Sequence, residues 1–313
     1  MPRNEYELID HSLLPDIKLF LVELAFRNLH MHSEFELCQV LAGQVEVFAN
    51  RTTYLFCQGD LILFNPKQPH EIRAVERQPP MILSLQVSPR FCARYFPLIR
   101  NLEFDAINVS SQLPQNQAGQ LKQQLLQLCE VYFHGSQHYE LSAYAIINQI
   151  FYQLVTHEPW HDLTDSEKTA KASTADRLGR IIDYTESHFT EKVLLADIAK
   201  QEGLSLTYLS HYFKDNLNMT FQDYVALLRF EEARSLVERT EMNMTDISIA
   251  SGFSDSRYLI KAFRRHLGCT PTEYRSQFSR SEQKPTVRPN GAVQRILSKD
   301  ESLVYLFQIT DIR

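Results

Sequence analysis

Glycine is scarce, with 9 residues in 313 and no fixed period, which excludes a fibrous or glycine-rich low-complexity chain. Cysteine is little used as well. Cys38, Cys57, Cys92, Cys129 and Cys269 are odd in number and form no CxxC pair, so they read as reduced thiols of a cytoplasmic protein. Long apolar runs are missing: residues 17–26 are interrupted by Lys18 and Glu23 and fall short of a bilayer span. The first ten residues carry Glu5, Glu7 and Asp10 where a secretory leader needs positive charge, so no membrane partner is expected. Positive charge is not in excess either. A formal charge of −6 gives no sign of nucleic acid, although a chain-wide sum hides any local basic face. What the chain does have is length: 313 residues with 44% hydrophobic and 22% charged composition suffice for two or three domains with real cores.

Residues 17–110 read as strands. Short runs of Val, Leu, Phe and Tyr alternate with turn clusters at Ala42-Gly43, Asn50-Arg51, Gly59-Asp60 and Asn65-Pro66. Strands at about ten-residue spacing predict a sandwich or small barrel. From Ala118 the period becomes helical, through Leu121, Leu125, Leu128 and Val131 and then Leu141, Ala145, Ile146 and Ile150. A helical hairpin is therefore expected, packed on the barrel or facing a second subunit. Residues 159–174 are polar and unperiodic and are expected to form a flexible linker. Helical periodicity returns from about 176 to 279. Residues 281–291 are again polar, and 303–309 are apolar enough to pack at a place the sequence does not name.

The helical half contains an internal repeat. Asp197-Ile198-Ala199, Gly203-Leu204-Ser205, Tyr208-Leu209, Phe213-Lys214, Leu217, Thr220 and Tyr224 recur 49–50 residues later. The second copy is Asp246-Ile247-Ser248, Gly252-Phe253-Ser254, Tyr258-Leu259, Phe263-Arg264, Leu267, Thr270 and Tyr274. Each copy offers a short apolar helix, a glycine for a positive-φ turn, a serine N-cap and a second helix, which is a helix-turn-helix twice over. A duplicated hairpin used only for packing is the alternative, but the side chains weigh against it. In the second copy Arg257, Lys261, Arg264, Arg265 and His266 face a single acid, Asp255. Helical spacing turns Tyr258, Leu259 and Phe263 inward and leaves Ser256, Arg257, Ile260 and Lys261 outward. An outward isoleucine among cations suits a thymine methyl. Thr207, Ser210, His211 and Lys214 face out in the first copy.

Residues 176–280 hold 14 Lys/Arg and 15 Asp/Glu, a net of −1. That is far from the basic footprint of a lone DNA-binding domain, so weak binding per subunit, reinforced by dimerisation, is expected. Between the copies, residues 221–240 predict a helix of roughly 30 Å, close to the ~34 Å repeat of major grooves along one face of DNA.

Residues 176–275 resemble the DNA-binding domain of the AraC/XylS family of bacterial transcription regulators. The resemblance rests on Ile247-Ser248, Gly252-Phe253-Ser254-Asp255, Tyr258, Phe263-Arg264, Gly268-Cys269-Thr270-Pro271 and Tyr274-Arg275. It implies seven helices, with two helix-turn-helix units joined by a long helix. By position it places base contacts on Thr207, Ser210 and His211 and on Ser256, Arg257, Ile260 and Lys261, with Lys214 and Arg264 beside them. The chain departs from the family at Ser248, where alanine is preferred, and at His211, where arginine is common.

In the strand half, His30, His32, Glu36 and Gly43 give the spacing HxHxxxExxxxxxG, followed by Gly59-Asp60, Pro66 and His70. This resembles both cupin motifs in the sensor form found in this regulator family, except that Lys67-Gln68 replaces the second motif's glycine. Even spacing lets His30, His32 and Glu36 point into a barrel together, joined by His70. The set suits Zn, Mn, Fe or Ni, or a metal-free pocket whose polar groups hold a ligand. Gln39, Tyr54 and Arg73 are further pocket candidates.

The expected protein is α+β: a cupin-like effector-sensing barrel over residues 1–116, a dimerising helical hairpin over 117–158, a linker over 159–175, an all-α double helix-turn-helix domain over 176–280, and an extension over 281–313. Its function would be sequence-specific transcription regulation at a double-stranded operator, answering to a small metabolite for which a carbohydrate is the family-weighted expectation. It would act as a homodimer and would meet RNA polymerase if an activator, without being an enzyme. No cofactor is required beyond the divalent metal left open at His30, His32, Glu36 and His70. The rivals are a metal-dependent cupin enzyme fused to a DNA-binding module and a DNA-architectural protein indifferent to metabolites.

Overall fold

A computed structural model of the chain describes residues 14, 16–76, 78–217, 219–278 and 293–310; the polar stretch 281–291 lies outside them. Contacts divide the described residues into two units, 14–175 with 294–310, and 176–278.

The N-terminal unit is built on seven strands: β1 (Ile17–His30), β2 (Phe35–Ala42), β3 (Gln44–Ala49), β4 (Thr52–Cys57), β5 (Leu61–Phe64), β6 (His70–Ala74) and β7 (Met81–Val87). They pair in the order β4-β3-β6-β1-β7-β2-β5, antiparallel throughout the register given by β1, β2, β3 and their neighbours. Alternation along the strands makes two apolar faces. One face contributes Val22, Cys38, Val40, Val45, Val47, Phe56, Ile62, Phe64, Ile72 and Ile82 to one cluster. Residues from all seven strands meet there, so the sheet curls around it as a cupin-like half-barrel. The other face, with Leu19, Leu21, Phe35, Leu37, Leu83 and Leu85, packs outward against helices.

Those helices follow β8 (Leu102–Phe104) and the single turn α1 (Val109–Gln112): α2 (Gln115–His134) and α3 (Tyr139–His157) form the expected hairpin. Leu121, Leu125, Leu128, Ile146, Ile147, Ile150 and Leu154 bury their stripes on the sheet of the same chain. Truncating any one of these leucines to alanine costs about 2–5 kcal/mol. Of the two packing modes left open by periodicity, the hairpin's main stripe takes the first.

Residues 159–175 are not a structureless linker. β9 (Trp160–Asp162) pairs with β8, and α4 runs over Asp165–His188. The start of α4 is a capping box: Glu167 N–H donates to Thr164 Oγ1 at 3.2 Å while Thr164 N–H donates to Glu167 Oε2 at 2.8 Å. Four polar residues can therefore start a helix where apolar periodicity is absent.

The C-terminal unit holds the far half of α4 with α5 (Leu195–Gln201), α6 (Leu206–Leu217), α7 (Phe221–Arg239), α8 (Met244–Ala250), α9 (Ser256–Leu267) and α10 (Pro271–Phe278). Counting α4, these are the seven helices the resemblance implies. The strut α7 serves two small cores. Its first half meets Phe213 through Phe221 and Tyr224 at ring separations of 5.4 and 5.6 Å. Its second half puts Phe230, Ala233 and Val237 against Ile247, Leu259 and Phe263.

The chain then returns to the N-terminal unit. β10 (Val293–Ile296) pairs with β1, and Leu297 N–H donates to Leu21 O at 2.9 Å. α11 (Lys299–Thr310) places Leu303, Tyr305, Leu306 and Ile309 in the core that α2 and α3 share with the sheet. This is the packing site of the apolar 303–309 stretch.

Candidate nucleic-acid interface and histidine centre

Both turn motifs form as the repeat predicts. In the first, Gly203 at φ +67° lets Leu204 N–H reach Ala199 O at 2.8 Å between α5 and α6. In the second, Gly252 at φ +81° lets Phe253 N–H reach Ser248 O at 2.9 Å between α8 and α9. A side chain at either position would strain the left-handed backbone. The caps differ between copies. Ser205 Oγ accepts from Tyr208 N–H at 3.1 Å, whereas Asp255 Oδ1, not Ser254, accepts from Arg257 N–H at 2.7 Å. The residue inserted in the second copy moves the cap by one place.

On α6, Leu209, Tyr212, Phe213 and Leu217 are buried while Thr207, Ser210, His211 and Lys214 are exposed. On α9, Leu259 and Phe263 are buried, Ser256 is half-buried, and Arg257, Ile260, Lys261 and Arg264 are exposed. The nine expected DNA-facing residues therefore form two rows, one per second helix, and Ile260 sits at the edge of its row at 36% exposure. Three details correct the sequence reading of α9. Tyr258 is 56% exposed rather than inward, because at 100° per residue it flanks Leu259 just as Ile260 does. His266 is stacked on Phe230 at 4.4 Å, and Arg265 lies 3.5 Å from Asp223, so the cation row narrows to Arg257, Lys261 and Arg264. Arg257 folds back on Asp255, with Nε–Oδ1 and Nη2–Oδ2 both 3.0 Å. Such an exposed pair is weak enough to open toward a phosphate or base. Tyr208, its counterpart in the first copy, is 48% exposed. An aromatic at matching places in both copies was the signal for these two additional surface residues.

The histidine centre lies inside the half-barrel. A bulge between Arg27 and His30 shifts the β1–β6 register, and beyond it His30 pairs with His70. His30, His32, Glu36 and His70 are all buried, and one ligand atom from each lies within 4.8 Å of the others. Each imidazole is held by its Nδ1–H: His30 donates to Asn28 O at 2.9 Å, His32 to Glu34 O at 3.1 Å and His70 to Gln68 O at 2.9 Å. On the opposite edge of the ring, Nε2 of His32 and of His70 turns to the Glu36 carboxylate. His32 Nε2 is 2.8 Å and His70 Nε2 3.2 Å from Glu36 Oε2. The second carboxylate oxygen accepts from Ser84 Oγ and from Cys38 Sγ, the latter at 3.6 Å. Burial opposes ionisation of Glu36, yet its contacts with His32 and His70 hold the carboxyl well below the usual range. Burial, reinforced by the nearness of His70 and Arg27, pushes His30 well below the ordinary imidazole value; burial also lowers His70. Three buried imidazoles, each with Nδ1 on a backbone carbonyl, and one buried carboxylate are residues that could hold a divalent transition metal.

The remaining pocket candidates do not join this centre as a group. Glu36, Cys38 and Val40 face the inner cluster, so Gln39, of opposite parity, faces the helices. Arg73 likewise alternates with His70 and Ile72; it is bonded to Glu71 and lies 5.4 Å over the Phe26 ring. Tyr54 does pack against the inner cluster, beside Phe56. The open space bordering His30 and Glu36 is only about 30 Å3, the share of about one water molecule. Phe64, stacked on His70 at 3.9 Å, helps fill the interior.

Two family models match the chain: an AraC-like ligand binding domain over residues 23–155 and a helix-turn-helix domain over residues 198–277. The HTH-type transcriptional activator RhaR of Mannheimia succiniciproducens is 31% identical over 115 residues, 37% of this chain and 42% of its own. This chain thus spans less than half the length of that relative. The HTH-type transcriptional regulator YdeC of Bacillus subtilis is 25% identical over 262 residues, 80% of this chain and 87% of its own. Among solved structures, an apo form of ToxT from Vibrio cholerae covers 85% of this chain and 98% of its own, at 13% identity and a TM-score of 0.40. Among the described residues no helix is long and apolar enough to cross a membrane.

Proposed function

Because this chain belongs to the AraC family of DNA-binding transcription regulators, we propose that it reads an operator with α6 and α9 placed in successive segments of the major groove. The relatives are named as regulators, and the chain is a regulator rather than an enzyme. The observation that carries the reading is the pair of outward rows, exposed Thr207, Ser210, His211 and Lys214 on one helix and, on the other, half-buried Ser256 with exposed Arg257, Ile260, Lys261 and Arg264. They flank a 19-residue strut, which at 1.5 Å per residue is about 28 Å long. Arg257, Lys261 and Arg264 suit guanine edges and phosphates, and Ile260 a thymine methyl. Selection from a random duplex pool, followed by footprinting, tests this. The expected result is two protected major-groove segments about 10 base pairs apart per subunit; a single protected segment would refute the two-helix reading.

The net charge of −1 over residues 176–280 supports a homodimer, since two linked weak sites gain by effective concentration. With the hairpin's inner stripe on its own sheet, dimerisation would use the outward face bearing Leu141 and Tyr152, which are exposed. The absence of a membrane-crossing helix among the described residues and the free thiols support action in the cytoplasm, with RNA polymerase as a further partner at activated promoters.

For the histidine centre we infer a resident divalent ion held by His30, His32, Glu36 and His70. When bound, the ion supplies coordinate bonds that tie β1, β2 and β6 together. The residues themselves fix the imidazole tautomers and exclude water. A space of about 30 Å3 has no room for a sugar ring, so a carbohydrate effector would have to bind elsewhere in the N-terminal unit.

A further inference from the structure

A second cavity of about 580 Å3 opens in the N-terminal unit where β2 begins and β5 and β7 end. That volume lies in the range of small-molecule sites. Its walls come from the segments that follow β1, β5 and β7, from the stretch entering β8, and from the first turns of α4.

Its charges are unbalanced. Five cations line it, Lys67, Arg90, Arg100, Lys168 and Lys171, against Asp16, Glu34 and Glu103. Glu103 is bonded to Lys171, Lys168 pairs with Asp165 at 3.0 Å in an exposed contact that an anion can displace, and Glu34 leans on His32, with its Oε2 3.8 Å from Nδ1. The side chains of Lys67, Arg90 and Arg100 have no ion pair or hydrogen bond among the described residues. The floor beneath them is rigid. Asn65 is buried and exchanges two hydrogen bonds with the Phe104 backbone, both 2.9 Å, while its own N–H donates to Gln68 Oε1 at 2.8 Å.

We propose that this cleft is the effector site, and that it takes a small metabolite bearing carboxylate or phosphate groups rather than a neutral sugar. The inference rests on the regulator reading above and names the ligand class of its sensor. Arg90 and Arg100 present guanidinium forks suited to such oxyanions, and Lys67 and Lys168 add point charges.

Two contacts join the cleft to the histidine centre. The carbonyl of His32 accepts from Lys67 N–H at 2.7 Å, and His32 Nδ1–H donates to Glu34 O at 3.1 Å. The histidine centre therefore holds both loops that form the cleft floor. On the opposite wall, α4 contributes Lys168 and Lys171 and continues without a break to His188, past the division at residue 175. An anion bridging Arg90 or Arg100 to Lys168 binds best when the first turns of α4 are seated on the cleft. That difference in affinity between seated and unseated helix is what a ligand needs to shift a regulator.

The test uses the full chain, with citrate, inorganic phosphate and glucose as probes at matched ionic strength, read by thermal melting and by anisotropy on the selected operator. At saturating citrate or phosphate the N-terminal unit should melt higher by about 2–4 °C, with a change in operator affinity. The exposed pair Arg90→Ala with Arg100→Ala should lose at least about tenfold in anion affinity while melting like the parent without ligand. Citrate acting without phosphate identifies a carboxylate effector, and the reverse a phosphorylated one. Equal shifts in parent and variant, no shift with either anion, or a response to glucose alone would each overturn the proposal. Operator binding without ligand is recorded in the same series, so a failed anion site leaves the DNA-reading proposal separately decided.

Discussion

Replacing Gly252 by alanine sets a methyl group against backbone. A Cβ there would lie 2.5 Å from Thr190 Cα, 2.8 Å from its carbonyl oxygen and 2.9 Å from its carbonyl carbon. Those atoms cannot rotate away as a side-chain tip would. The left-handed conformation at φ +81° costs a non-glycine residue about 1–2 kcal/mol, and forced overpacking adds about 1–3 kcal/mol. Stiffening of the unfolded chain returns about 0.4–1 kcal/mol. The net loss should be about 2–4 kcal/mol. Gly203 supplies the control. It has the same turn role at φ +67°, but a Cβ there meets nothing within 4 Å, so Gly203→Ala should lose only about 1 kcal/mol. Scanning calorimetry and urea unfolding of the full chain would follow the transition of the C-terminal unit. For a domain of this size the two losses correspond to roughly 10–25 °C and roughly 4–8 °C. Equal losses at the two glycines, or a larger loss at Gly203, would refute the packing of the second turn against Thr190.

Ser248 is buried at the turn of the second motif, and its Oγ makes no hydrogen bond among the described residues. Ser248→Ala should therefore raise stability by about 1 kcal/mol, read as a higher urea midpoint; a loss would mean that the hydroxyl has a partner. Glu158 is 4% exposed at the end of α3 with neither carboxylate oxygen hydrogen-bonded among the described residues. Burial pushes its carboxyl up to about 7 from an ordinary 4.5. The folded value lies above the unfolded one, so its ionisation destabilises: stability is full below pH 4.5 and falls as pH rises through about 7. Glu158→Gln should stabilise the protein by about 2–3 kcal/mol at pH 8 and by little near pH 4.5; a gain independent of pH would contradict that cause. Chelation should lower the melting point of the N-terminal unit, and His70→Ala should melt like the chelated parent. Metal-free purified protein that melts identically with and without chelator would exclude the resident ion.

The residues that were legible in sequence share a physical property. The two turn motifs are local, and duplication repeats their glycines, buried leucines and phenylalanines at matching places, so their second helices and outward rows could be read before any fold. The histidine centre was legible because His30, His32 and Glu36 are evenly spaced, with His30 ending β1, Glu36 on β2 and His32 in the short connection between them. Gln39 and Arg73 broke that parity and face elsewhere, which strict period-two counting would have shown. Tyr258 failed for the analogous helical reason, lying as far from Leu259 as Ile260 does. The linker was misread because Thr164 and Glu167 start a helix through hydrogen bonds rather than through apolar periodicity. The return of residues 294–310 to β1 and the core beneath α2 is a tertiary pairing across most of the chain, which no local pattern encodes. The larger cleft was equally hidden, because its cations come from three separated loops and one helix.

Whether both helices read DNA is decided by comparing Lys214→Ala on α6 and Lys261→Ala on α9 with the parent, on the selected operator and on a scrambled duplex of equal length and salt. Both side chains are exposed, so folding should be untouched. If both helices read DNA, each variant should lose about 1–3 kcal/mol on the operator where its lysine meets a base. A lysine that meets only phosphate should instead weaken both duplexes alike and flatten the salt dependence. A measurable loss on the operator is expected from each helix. Parent-like binding by either variant would contradict it, leaving that helix outside the groove.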